Sequence, residues 1–400
     1  MSLADPMSAS SKTKAVPKTM PVAGTRDPRL DFFRGIAMFI ILIAHIPGNW
    51  LTLWIPARFG FSDATETFVF CSGMASAIAF GRVFRDRGLP MGSARVAYRC
   101  WQVYWAHVAL FVATAATMVA LNAAFPEGRD YIAQLNLHPF FENTEQNLVG
   151  LLTLTYVPNY FDILPMYLVI LAMMPMMVAL SRVHVGLVVL ASVSIWLCAN
   201  VLDWNFPAEP WSDRGWFFNP LGWQLIFFTG FAFMSGWIPA PPVDRRLFWI
   251  AVAVIVISLP FAYFRLFNAF PVFLEWRREW GVLIQKTDFG ILRYIHFLAT
   301  AYVAWVLVGP KGARIQPSGG PGFLARSWTV VLAVIMKVGQ QSLAVFIGSM
   351  FLARLLGVLL DVVGRNHFSM FWVNAFGIFL VIAVAYGAGW FKSQPWKKRA

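Results

Sequence analysis

Residues Asp31–Asn49 read DFFRGIAMFIILIAHIPGN, and this stretch decides the fold. It is apolar enough to enter a bilayer, yet it carries Arg34 near its start and His45 eleven residues further on. Lipid cannot solvate a charge, so ionisable side chains within a span face the bundle interior and mark functional sites. On a helix, Arg34 and His45 stand about 16 Å apart, roughly half the hydrocarbon thickness. Pro47 and Gly48 follow at once, so the helix should kink or end just past the imidazole. An imidazole near an opening helix end suits a general base that meets its substrate from outside. The plainer alternative is a core histidine bonded to a neighbouring helix.

The surrounding 400 residues are 58% hydrophobic, 16% aromatic and only 13% charged. Soluble globular chains carry about a quarter charged residues, which excludes that class. Nearly chargeless runs such as Val185–Leu202 and Leu247–Phe264 recur, the pattern of an all-α, polytopic integral membrane protein. A net charge of +13 fits Lys and Arg retained on cytoplasmic loops beside anionic lipid, and argues for no nucleic-acid partner. Cys71, Cys100 and Cys198 lie in apolar segments and read as packing residues, without disulfide or metal-ligand spacing.

About ten transmembrane helices are expected, near residues 32–54, 64–83, 99–123, 163–180, 185–202, 221–238, 247–267, 291–308, 338–362 and 371–391. Leu148–Val157 and Trp328–Met336 are too short to span and read as re-entrant or interfacial. Residues 1–25 form a polar tail without a cleavable signal, 26–391 one membrane domain, and 392–400 a basic tail. Arg82, Arg85, Arg87 and Arg95 between the second and third spans share a side with both tails. The positive-inside rule therefore places the N- and C-termini in the cytoplasm. Arg277, Arg278 and Lys286 interrupt that bias in a loop assigned outside.

Several side chains could carry chemistry. Asp63 and Glu66, in FSDATETFVFCSG, share a helix face and could orient His45 and balance its charge. Ser72 and Gly73 read as a small pair that lets two helices approach, not as a nucleophile. Arg34 and Arg29 could clamp phosphates at the cytoplasmic mouth, with Arg99 and Gln102 extending the pocket. His107 reads as structural. In PNYFDILPMY, Asn159 and Asp162 could hold sugar hydroxyls, and Tyr160 or Tyr167 could stack on a sugar ring. Arg293 and His296 form a second cation-and-imidazole pair, and Lys337 and Arg354 extend a polar track. No metal spacing, phosphate-cradling loop or dinucleotide fingerprint is present.

Arg34 and His45 in the first span, FVFCSG at Phe68–Gly73 with Glu66 ahead of it, and VGQQSLAVF at Val338–Phe346 resemble the acyltransferase-3 superfamily of membrane acyltransferases. RLDFFRG, HIPGN, FGFSDATETFVFCSG, NYFDILPMY and LRYIHFLA are more closely similar to the OpgC proteins, which succinylate osmoregulated periplasmic glucans. Gln102 departs from the superfamily pattern, where many members have arginine.

The resemblance implies a multi-pass O-acyltransferase of the bacterial inner membrane. It would take an acyl group, succinyl by the resemblance, from cytoplasmic acyl-CoA and place it on a periplasmic glucan. Acyl-CoA is then a donor substrate, with no permanently bound cofactor and no metal. His45 would be the base, with Asp63 or Glu66 behind it. Arg34, Arg29 and Arg99 would hold the donor, Asp162 and Asn159 the sugar, and Arg293 the succinyl end, with His296 a further substrate-binding residue. A homo-oligomer is left open. The rival reading is a glycan or lipid-linked sugar transporter that uses His45 and Glu66 as a proton relay.

Overall fold

The structure is a computed structural model that describes residues 27–125, 128–317 and 322–397. The tail expected at 1–25 and the last three residues lie outside it. Among the described residues there is no β-strand, only an isolated bridge between Pro207 and Gly215. The long helices are α1 (Pro28–His45), α2 (Ala64–Ala124), α3 (Ile163–Val183), α4 (Val185–Val201) and α5 (Pro220–Ser235). They continue with α6 (Arg245–Ala262), α7 (Ile291–Val308), α8 (Phe323–Gln340), α9 (Ser342–Val363) and α10 (His367–Ser393). Seven of them are long and apolar enough to cross a membrane by length and composition. Three charged residues, Arg29, Asp31 and Arg34, keep α1 out of that set. The protein is an all-helical membrane protein.

The N-terminal end of α1 is its foot and the His45 end its head. Asp27 caps the foot by accepting from the Arg29 amide, with Pro28 at the first helical position. At the head the helix stops on His45, sooner than the span expected at 32–54. Ile46 is extended, Pro47 has no N–H to donate and Gly48 has φ +66°. Two 3-10 turns, Trp50–Leu53 and Pro56–Arg58, carry the chain across the head into α2.

α2 is two rods. Gly88 leaves helical space at φ 79°, ψ 179°, two residues ahead of Pro90. The rods begin and end at the same end of the molecule: after the second, Arg129 pairs with Asp361 at 3.3 Å, and Arg365 beside Asp361 holds the Pro47 carbonyl. The break is therefore a reversal. The basic stretch expected as a connection is helical on both sides of one glycine.

The segment expected at Trp328–Met336 is the middle of an 18-residue helix, α8. Both of its halves fasten to the foot. The Trp328 indole donates to the Ile315 carbonyl at 2.8 Å. A Cβ on Gly339 would lie 1.9 Å from the Asp31 carbonyl oxygen, and one on Gly35 would lie 2.1 Å from that of Ile335. The two backbones touch where only glycine fits. α9 starts at Ser342 after the break at Gln341, not at Val338 as expected. The main apolar cluster gathers Met38, Leu42, Phe111, Met174, Phe227 and Phe346 from five of the helices. In lipid such packing holds helices together chiefly through van der Waals contact.

Candidate active site

The turn after His45 is bolted to α9 and α10. The Arg365 guanidinium donates to the Pro47 carbonyl at 2.6 Å and the Gly357 carbonyl at 3.2 Å, and pairs with Asp361 at 2.7 Å. Asn49 and Asn374 exchange side-chain amide bonds of 2.8 and 3.1 Å. His45 is thereby fixed at a helix end without itself being tied to the neighbouring helices.

Its Nδ1 lies 2.7 Å from the Ile41 carbonyl oxygen. A carbonyl can only accept, so Nδ1 carries the proton and Nε2 keeps its lone pair. No described residue hydrogen-bonds Nε2. The ring stands edge-on to Tyr160, with centroids 5.5 Å apart. Both line a cavity of about 490 Å³ together with Ala44, Thr52, Arg58 and Arg354. The helix C-terminus supplies negative partial charge, worth about 0.3–2 kcal/mol to a cation there, so it favours the imidazolium that forms when Nε2 takes a proton.

Tyr160 lines the cavity next to His45. Its hydroxyl donates to the Met350 carbonyl, and the Arg354 guanidinium lies 4.0 Å from its ring centre. Its φ of 89° is a left-handed conformation that costs a tyrosine on the order of 1–3 kcal/mol. The surrounding bonds hold the ring against both His45 and Arg354 despite that strain.

The carboxylates expected behind His45 are committed elsewhere. Asp63 caps α2 by accepting from the Thr65 amide at 2.7 Å, and Glu66 accepts from the Asp63 amide at 2.7 Å. Lys286 pairs with Asp63 at 2.6 Å, and Arg293 lies 3.5 Å from Asp63 and 2.7 Å from Glu66. That last contact is a charge contact, because the Arg293 Nε–H is not aimed at the Glu66 oxygen. Burial raises the Asp63 carboxyl, but Lys286 and Arg293 outweigh it and hold the group well below the usual carboxylate range. No described hydrogen bond joins Asp63 or Glu66 to His45. The Ile41 carbonyl, not a carboxylate, orients the imidazole. Lys286 faces Asp63, and Arg277 bonds the Phe261 carbonyl and lies over the Phe267 ring. Two of the three basic residues that broke the charge bias, Lys286 and Arg277, are thus locally satisfied.

At the foot, Arg34 is buried and donates to the Ser342 hydroxyl at the start of α9. Arg29 pairs with Asp27 at 2.6 Å and reaches the Gly309 carbonyl at 3.4 Å. Arg99, on the second rod of α2, donates to Gln102 at 3.1 Å, and no described contact joins it to Arg34 or Arg29. Gly73 packs on the Phe227 backbone, where a Cβ would lie 2.0 Å from the carbonyl oxygen, the small-residue role expected of it.

Asn159 and Asp162, expected to hold the acceptor, both lie near Arg214. Asn159 is exposed and accepts from Arg214 at 3.3 Å. Arg214 also reaches the Val157 carbonyl at 3.1 Å and Glu209 at 2.9 Å. Asp162, in the turn ahead of α3, is 3% exposed with one oxygen unbonded. Burial pushes its carboxyl up to about 7, against the pull of Arg214. His296 does not join the cavity. Its Nδ1 accepts from the Ser62 amide at 3.3 Å and lies 2.7 Å from the Ser62 hydroxyl, so it tethers the loop before α2.

Arg58 and Asn374 are absent from the residues expected above, because nothing in PARF or WVNAF marks them before the chain is folded. Arg354 stood only as part of a polar track. A signal existed for it: Ser342 and Arg354 are spaced on α9 much as Arg34 and His45 are on α1.

The family model described as OpgC protein matches residues 26–393. No curated protein and no solved structure matches the chain. A match across nearly the whole chain, with a histidine facing a polar cavity at the head of its first helix, leaves one assignment: the chain belongs to the OpgC family, which points to a glucan-modifying membrane acyltransferase.

Proposed function

We propose that the protein moves an acyl group, succinyl in the first instance, from cytoplasmic acyl-CoA onto a glucan hydroxyl on the far side of the bacterial inner membrane. The observation that carries this reading is the Nδ1–H bond of His45 to the Ile41 carbonyl, which leaves Nε2 free at a polar cavity. Nε2 takes the proton of a glucosyl hydroxyl as that oxygen attacks the thioester carbonyl. The tetrahedral intermediate collapses, the C–S bond breaks, and the leaving sulfur takes the same proton back from Nε2. One ester forms and one thiol is released, without an acyl-enzyme.

The bundle supports the transmembrane arrangement. α1, the two rods of α2, α3 to α7, α9 and α10 make ten crossings, while α8 lies at the foot with both halves fastened there. Both chain ends then share the cytoplasmic side, and the head, with Asn159 and Asp162, faces outward. Arg34 and Ser342 meet at one depth, and His45 and Arg354 meet a cavity about 16 Å further along the helices. That distance is comparable to a pantetheine arm, with donor phosphates at the foot.

The test is a proteoliposome assay with labelled succinyl-CoA inside and glucan outside. Folded His45→Gln should lose transfer by about 10²–10⁴-fold, the usual worth of a general base. Arg34→Ala should raise the donor KM more than it lowers kcat. Transfer by His45→Gln at the wild-type rate would remove the base. Glucan movement without release of free CoA would favour a transporter, against which Glu66 already stands clamped by Arg293 away from His45.

A further inference from the structure

We propose that Arg354 binds the terminal carboxylate of the acyl group and so selects a dicarboxylic acyl donor over a neutral one; this rests on the acyltransferase reading above. Arg293, which the sequence offered for that task, is already neutralised by Glu66 and Asp63. Arg354 is not. No carboxylate pairs with it among the described residues, and its Nε has no hydrogen-bond partner. Its close neighbour is the face of Tyr160. The cavity it lines contains a second cation, Arg58, and no acidic side chain. Arg58 is occupied on one side, where its Nε donates to the Thr52 carbonyl at 3.0 Å. A half-buried guanidinium without a counter-charge is costly unless a ligand supplies one.

The geometry identifies which part of the ligand this is. His45 and Arg354 both contact one ring, 5.5 and 4.0 Å from its centre, so they are no further apart than those distances laid end to end. A four-carbon diacid holds its two carboxyl carbons about 4 Å apart at ordinary bond lengths. With the thioester carbonyl at His45, the far carboxylate of a succinyl chain comes within reach of Arg354. The acyl group is the leading tip of an arm that enters from the foot, so its far end arrives first at the head. A donor phosphate, at the other end of the arm, would stay near Arg34.

The same proteoliposome assay decides it with two donors, succinyl-CoA and butyryl-CoA, which match in length and differ in the terminal charge. Arg354→Gln should lower kcat/KM for succinyl-CoA by about 10–100-fold, the worth of one charge-assisted pair. It should affect butyryl-CoA far less, so that the preference for succinyl collapses or reverses. Arg354→Lys should keep part of the preference. An equal fall with both donors would overturn the proposal, because a purely structural arginine does not read the acyl tip. A second arm needs no catalysis. Mono-methyl succinate should raise the melting temperature of detergent-purified wild type but not of Arg354→Gln, whereas its neutral dimethyl ester should do nothing to either. If inorganic phosphate stabilises through Arg354 and the succinate ester does not, the site belongs to a phosphate and the proposal fails. If no acyl-CoA is consumed by wild type, the acyltransferase reading falls, and this binding arm still decides whether Arg354 holds a carboxylate.

Discussion

A single carbonyl, that of Ile41, does for His45 what a carboxylate does in a hydrolase triad: it fixes which nitrogen bears the proton. The residue pattern pointed to Asp63 and Glu66 for that task because a triad is the familiar way to support an imidazole. Both were instead needed to start α2 and to neutralise Arg293 and Lys286. Asp63 and Glu66, three apart ahead of an apolar run, carry the capping-box pattern, so the cap was open to a sequence reading, whereas the pairing with Lys286 and Arg293 far along the chain was not. Asp162 offers a check near Arg214. Its folded pKa of about 7 lies above the ordinary aspartate value of 3.8, so folding favours the protonated acid. That contribution is full below the unfolded value and is lost as pH rises through the folded one. The melting temperature of wild type should therefore fall between pH 5 and pH 8 relative to Asp162→Asn, measured in detergent by scanning fluorimetry. Parallel profiles for the two proteins would show that the carboxyl ionises normally.

Most elements were legible because apolar runs and helix breakers are local. Pro47 and Gly48 announced the end of α1, and the long runs from Val185 and Leu247 became α4 and α6. The misread elements were those whose fate depends on a distant partner. Trp328–Met336 looked too short because Arg326 and Lys337 flank it, yet Gly35 and Gly339 let α8 lie directly on α1 and extend to 18 residues. Gly339→Ala should destabilise that crossing by about 1–3 kcal/mol, since one of two backbones must shift. Gly81→Ala, where an added Cβ meets nothing within 4 Å, should be neutral or stabilising by up to about 1 kcal/mol. Paired thermal melts of the two variants measure the contrast. Equal shifts would mean that the α1–α8 contact contributes nothing.

For the whole molecule, the ten crossings proposed above predict, by alternation, which surfaces share a compartment. In a background without Cys71, Cys100 and Cys198, cysteines at Ala313 and Ser393 should react with an impermeant maleimide only from the cytoplasmic side. A cysteine at Asp213 should react only from outside. If α8 crossed the bilayer, Ala313 and Ser393 would react from opposite sides. The crossing of α1 and α8 also has a consequence for traffic. Carbonyl oxygens that would sit about 2 Å from an added Cβ leave no gap between those helices, so nothing as bulky as a nucleotide can pass on that flank. On the proposed acyl-CoA reading, a donor bound for Arg34 would therefore have to come in by another flank. Wherever the foot of α1 opens, the side against α8 is shut.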